Sequence, residues 1–270
     1  MEDLRRHPMF KTRLISGIFL VLAAFLTISC GGYVLLATLG CISLIGIQEL
    51  SGAMKVRTEN DRLLEIVTFI CAAGYYLVLP LGFERWGMAI VLLSLVVIMS
   101  VYVFTYPRYH AHQVMAAYFG LIYVAVMLSF VWLTRELPQG RILVWLVFFS
   151  SWGCDTCAYC VGMLIGRHKM APVLSPKKSV EGAVGGVAGA ALLGCLYALA
   201  TGEPTWEYAL ICAAGSLISM VGDLAASAIK RNQEIKDYGR LIPGHGGILD
   251  RFDSVIFTAP VIYYLGTILL

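Results

Sequence analysis

Between Ser227 and Asp253 the chain reads SAIKRNQEIKDYGRLIPGHGGILDRFD, nine formal charges and four glycines set into an otherwise apolar sequence. Four carboxylates (Glu234, Asp237, Asp250, Asp253) stand among five cations (Lys230, Arg231, Lys236, Arg240, Arg251). Charge placed between apolar helices is costly and marks functional sites. Acids that can hold a metal beside bases that can hold phosphate point to phosphoryl or nucleotidyl transfer. Asp250 and Asp253, three residues apart, share one helical face if a helix starts near Leu249. Hard oxygen ligands of this kind favour Mg2+ over zinc. The stretch from Gly239 to Gly247 is too rich in helix breakers to be regular, and its N–H groups could face an oxyanion. His245 lacks the Cys or His companions that zinc wants and is read as orienting this loop or touching substrate beside Gly246 and Gly247.

Three upstream segments add candidates. In DTCAYCVGMLIGRHK, Asp155 lies about eleven residues, roughly 17 Å, from the end of its span, where an acid must be paired, neutral or in a watery cavity. A packing hydrogen bond to a neighbouring helix is the alternative explanation. Gly162 and Gly166 form a small-xxx-small face suited to close helix packing. Cys154, Cys157 and Cys160 have a spacing that could offer thiolates to a metal, yet inside an apolar span they read as small packing side chains. In SPKKSVEG, Lys177 and Lys178 are available to an anion, as in any positive-inside loop, and Ser179 can cap the next helix. In VGDLAASAIKR, Asp223, Ser227 and Lys230 recur at i, i+4 and i+7 and share a face, either as a charge-paired cluster or as a metal ligand facing a phosphate-binding cation.

The elements that must position these residues are membrane helices. Hydrophobic residues make up 59% and charged ones 14%, with mean hydropathy +0.79, against roughly 25% charged in a soluble domain. The expected architecture is all-α and polytopic, one membrane domain of nine spans at about 13–29, 31–50, 64–83, 86–105, 113–133, 142–166, 181–201, 206–229 and 254–270. Within it, N-terminal helices cover about 13–133 and a catalytic part about 142–270. Seventeen of the Lys and Arg residues fall on the side of the N-terminus and of the 230–253 loop, three on the other. That side is therefore expected to be cytoplasmic. LTISC at 26–30 faintly matches a lipoprotein cleavage box, but an apolar span follows at once, and the first span is read as a retained helix.

The run from Ser227 to Asp253 resembles the signature of the phosphatidate cytidylyltransferases, or CDP-diacylglycerol synthases, at every fixed position, and Asp155–Lys169 and Ser175–Gly182 resemble two further blocks. Val221 stands where many relatives have Gln. The resemblance implies transfer of CMP from CTP to phosphatidic acid, giving CDP-diacylglycerol and pyrophosphate, at a Mg2+ centre of the two-metal kind in the inner membrane. It makes Asp223 and Asp250 the metal ligands and turns Lys230, Arg231, Lys236 and Arg251 toward phosphates. Asp237 and Asp253 complete the expected catalytic set, with Asp155, Lys177, Lys178, Ser227, Arg231, His245, Gly246 and Gly247 binding substrate. The expected partners are the bilayer and a second copy of the chain, and no nucleic acid. A transporter with intramembrane acids, or another CTP-dependent lipid enzyme such as a lipid kinase, remains the alternative.

Overall fold

The computed structural model describes the backbone of residues 3–57, 61–244 and 246–270, and side chains from Ser16 onward. In lipid every backbone polar group must be satisfied within the chain, so long apolar runs become helices. The helices are α1 (Asp3–Cys30), α2 (Gly32–Ala53), α3 (Leu63–Val78), α4 (Phe83–Phe104), α5 (Ala111–Gly120), α6 (Met127–Glu136), α7 (Gly140–Phe148), α8 (Cys154–Ile165), α9 (Val180–Thr201), α10 (Thr205–Asn232) and α11 (Leu249–Leu269). Wider π turns at Leu121–Val126 and Phe149–Gly153 join α5 to α6 and α7 to α8 as continuous rods.

Among the described residues, eight helices are long and apolar enough to cross a membrane, matching the last eight expected spans; the chain is an all-α polytopic membrane protein. The first expected span falls in α1, whose apolar stretch among the described residues, Ser16–Cys30, is shorter than the other eight. Gly31 and Gly32, with φ of 65° and 49°, break the chain between α1 and α2 in a left-handed turn that glycine adopts without strain. The expected 167–180 loop carries a small antiparallel hairpin, β1 (Lys169–Ala171) with β2 (Ser175–Ser179), in register Lys169 to Ser179.

Two compact units emerge. Unit 1 comprises residues 1–129 and 235–251, and unit 2 residues 130–234 and 252–270. In unit 1, buried hydroxyls pair off between helices: Ser43 with Tyr76 at 2.8 Å and Tyr75 with Ser129 at 2.9 Å. Gly46 on α2 admits the Val124 side chain, which a Cβ there would meet at 2.8 Å. Unit 2 is built on close helix approach. A Cβ on Gly186 of α9 would lie 2.9 Å from Cys154 Sγ and 3.0 Å from Ala158 Cβ on α8, and one on Gly189 would meet Cys157. Gly194 approaches Cys212 of α10 in the same way, and Gly222 of α10 approaches Phe257 of α11. Cys154 and Cys157 therefore pack against the glycines of α9, as expected, whereas Cys160 is exposed.

Candidate functional site

In unit 2 the π turn at Phe149–Gly153 delivers Asp155 to the first turn of α8. Such bulges recur at functional sites because they re-aim the helix face that follows. Asp155, Lys169, Lys177, Lys178 and Asp223 line a cavity of about 600 Å³ whose apolar wall is formed by Ala158, Tyr159, Met163 and Met220. The hairpin supplies the three lysines. It is anchored at both edges: Ser179 Oγ caps α9 by accepting the Gly182 N–H at 3.1 Å, and Glu181 accepts the N–H groups of Arg167 at 3.0 Å and His168 at 3.2 Å. Gly162 and Gly182 leave room for this cap, since a Cβ on Gly162 would sit 3.1 Å from Ser179 Oγ. Across the cavity wall Lys178 Nζ forms an ion pair with Asp223 Oδ2. Beyond it Lys230 Nζ lies 4.0 Å from Asp253 Oδ2, a buried carboxylate that also accepts the Ser254 N–H at 2.8 Å.

In unit 1 the 235–251 segment folds as an irregular loop closed by a bridge between Ile242 and Gly246. Lys236, Asp237, Gly239, Arg240 and Arg251 line a second pocket, also of about 600 Å³. Asp250 turns inward beneath it. Its Oδ2 accepts the N–H of Tyr238 at 2.8 Å and of Gly247 at 3.0 Å. Glu49 of α2 takes the next two donors, Ile248 N–H at 3.0 Å and Leu249 N–H at 2.8 Å. Within the Gly239–Gly247 stretch expected to turn N–H groups toward an oxyanion, Gly247 faces the Asp250 carboxylate, and Ile248 and Leu249 just beyond it face that of Glu49.

The sequence-predicted residues therefore fall into two sets. Unit 2 brings together Asp155, Lys177, Lys178 and Asp223, with the Lys230–Asp253 pair; unit 1 gathers Lys236, Asp237, Gly246 and Arg251 around the loop that Asp250 holds. Among the described residues, Ser227 and Arg231 line neither pocket, although both stand on α10. His245 lies outside the described residues. Two contributors escaped the sequence reading. Lys169 closes the Asp155–Lys169 block without being singled out there, and Glu49 falls in an apolar span, where a lone acid is itself a signal.

No three His, Cys, Asp or Glu side chains converge to enclose an ion among the described residues. Mg2+ does not need such a cage, since it is commonly held by one or two carboxylates plus substrate phosphates. Asp223, a hard oxygen donor on the wall of a lysine-lined cavity, fits that chemistry.

Known proteins resemble this chain over most of its length. A phosphatidate cytidylyltransferase of Synechocystis sp. is 45% identical over 138 residues, which span 50% of this chain and 47% of that protein. Phosphatidate cytidylyltransferases of Staphylococcus aureus and Staphylococcus epidermidis are each 30% identical over 262 residues, 94% of this chain and 98% of theirs. The profile of the cytidylyltransferase family matches residues 11–269, taking in both units and every candidate residue above, and the chain belongs to that family.

Proposed function

We propose that the chain is a phosphatidate cytidylyltransferase, transferring CMP from CTP to phosphatidic acid to give CDP-diacylglycerol and pyrophosphate. The observation that carries this reading is the unit 2 cavity, where two acids and three lysines share one space with an apolar wall. A lipid headgroup needs that mixture: cations for its phosphate, and apolar surface for the chains that stay in the bilayer.

Both reactants are anions, so their approach requires charge neutralisation and in-line alignment more than a strong base. The phosphatidate oxygen is already ionised near neutral pH. It attacks the α-phosphorus of CTP, the bond to the bridging oxygen of the β-phosphate breaks, and pyrophosphate leaves. Lys169, Lys177 and Lys178 supply positive charge at the cavity. An arriving phosphate competes with Asp223 for Lys178, so substrate entry would release the carboxylate. Lys236, Arg240 and Arg251 give the second pocket the same affinity for phosphate, with Lys230 and Arg231 on α10 as further cations. Mg2+ held by Asp223 would supply further positive charge against the phosphates, and Asp250 is the unit 1 carboxylate to which the family resemblance gives the same role.

By the distribution of basic residues the N-terminus and the 230–253 loop face the cytoplasm, in the cytoplasmic membrane, where soluble CTP meets a lipid that never leaves the bilayer. The whole chain acts as one catalytic membrane domain, and as a homodimer. Incubation of the purified protein with CTP, phosphatidate and Mg2+ tests the reading: pyrophosphate and the liponucleotide should appear together. A phosphorylated lipid without pyrophosphate would identify a kinase, and ion flux in liposomes without either product would identify a transporter.

A further inference from the structure

The geometry points to Glu49 as a positioning residue that holds the start of α11, and with it Asp250, through the backbone of Ile248 and Leu249. Glu49 stands one turn before the end of α2, in an otherwise apolar span. Its two carboxylate oxygens divide two consecutive backbone donors between them, Oε1 on Ile248 and Oε2 on Leu249. The first N–H groups of a helix have no partner within it, and a negative charge there is favourable. Asp250 follows directly and satisfies Gly247 and Tyr238. Two carboxylates thus consume four backbone donors and fix the loop from 238 to 250.

Two glycines make the approach possible. A Cβ on Gly239 or on Gly247 would collide with the Glu49 carboxylate. Neither position has the positive φ that would itself demand glycine. Their lack of a side chain is therefore explained by the acid seated against them. Glu49 touches the backbone that aims Asp250, so it acts through that residue.

The kinetic arm of the test rests on the cytidylyl-transfer reading, and the exchange arm does not. In Glu49→Gln one acceptor oxygen becomes a donor facing an N–H. Hydrogen–deuterium exchange at the Ile248 and Leu249 amides should accelerate roughly tenfold. Turnover of CTP and phosphatidate should fall roughly 10- to 100-fold, with KM for CTP little changed. Gly239→Ala displaces the carboxylate from a position remote in sequence from α11 and should accelerate exchange at the same two amides, whereas in a Glu49→Ala background it should add no further loss of exchange protection. It also decides the matter if Glu49→Gln does not fold. Unchanged exchange at Ile248 and Leu249 in folded Glu49→Gln or Gly239→Ala overturns the inference. So do additive losses in the double variant. If wild-type protein releases no pyrophosphate, the functional reading fails and the exchange arm alone judges the clamp.

Discussion

Lys178 on the hairpin and Asp223 on α10 form an ion pair on the wall of the unit 2 cavity, joining the SPKKSVEG and VGDLAASAIKR segments. Each neutralises the other. The pair keeps both charges tolerable at the edge of an apolar helix bundle, and phosphate can exchange with the carboxylate for the lysine.

Asp223→Asn should therefore lose turnover roughly 100-fold or more while remaining monodisperse in detergent, because the amide keeps the shape and removes the charge. Lys178→Met should raise the CTP concentration needed for half-maximal rate. The double variant should be far less impaired than the product of the two losses, since each single change strands the other's charge. Steady-state kinetics on the three purified variants checks this, and wild-type activity in Asp223→Asn would remove it from the reaction.

Ser179 should reveal how far the hairpin depends on its cap. Ser179→Ala removes the acceptor for the Gly182 N–H and should cost about 1 kcal/mol of stability. Because β2 ends at this residue, the lysines it carries should also lose order. A lower thermal midpoint together with a raised KM for CTP is the expected pair of results, and Ser179→Thr should restore part of both.

Much of this organisation was legible in the sequence. Apolar run length placed eight helices; it set the last span at 254–270, and the start near Leu249 that would put Asp250 and Asp253 on one face is the one α11 adopts. The Ser179 cap and the packing role of Cys154 and Cys157 were readable because both are local or compositional. Long-range partners were not. The ion pair of Lys178 with Asp223 spans 45 positions and the bond from Leu249 to Glu49 spans 200, and no periodicity encodes either. The hairpin escaped because Ser175–Ser179 contains Pro176 and two lysines, a composition typical of a loop; edge strands tolerate proline.

Close packing of α8 on α9 should matter more than glycine flexibility. At Gly186 a Cβ would press within about 3 Å of Cys154 Sγ, Cys154 O and Ala158 Cβ. Gly186→Val should cost roughly 1–3 kcal/mol and disturb the helix that carries Asp155. Gly74 of α3 has no atom within 4 Å of the corresponding position, so Gly74→Ala should be neutral or slightly stabilising. Thermal unfolding of the two variants side by side separates packing from helix propensity.

Outside the spans, Asp61 sets an acid limit on stability. Burial raises its pKa, but hydrogen bonds from the Tyr109 hydroxyl and the Leu63 N–H, at 3.0 Å for the latter, and the Arg108 guanidinium outweigh that and hold it below the ordinary carboxylate value. A carboxylate with a depressed folded pKa stabilises above its unfolded pKa and loses that contribution as pH falls through the folded one. Asp61→Asn should therefore be less stable than wild type near neutrality. The gap in thermal midpoint should close as pH drops below about 4. A gap that widened in acid would contradict the ion pair.

Asp250 separates charge from scaffold. Its Oδ2 holds Tyr238 and Gly247 by backbone bonds that need an acceptor oxygen but no net charge. Asp250→Asn can keep those bonds through its amide oxygen, so the loop should stay folded while turnover falls roughly 100-fold if the charge serves a metal. Asp250→Ala removes acceptor and charge together and leaves two buried donors unsatisfied, a loss of about 1–3 kcal/mol for each. Limited proteolysis between residues 238 and 247 should then distinguish them: Asn resists like wild type, Ala is cut. Equal activity in Asn and wild type, with cleavage only in Ala, would make Asp250 a fastening for the loop and nothing more.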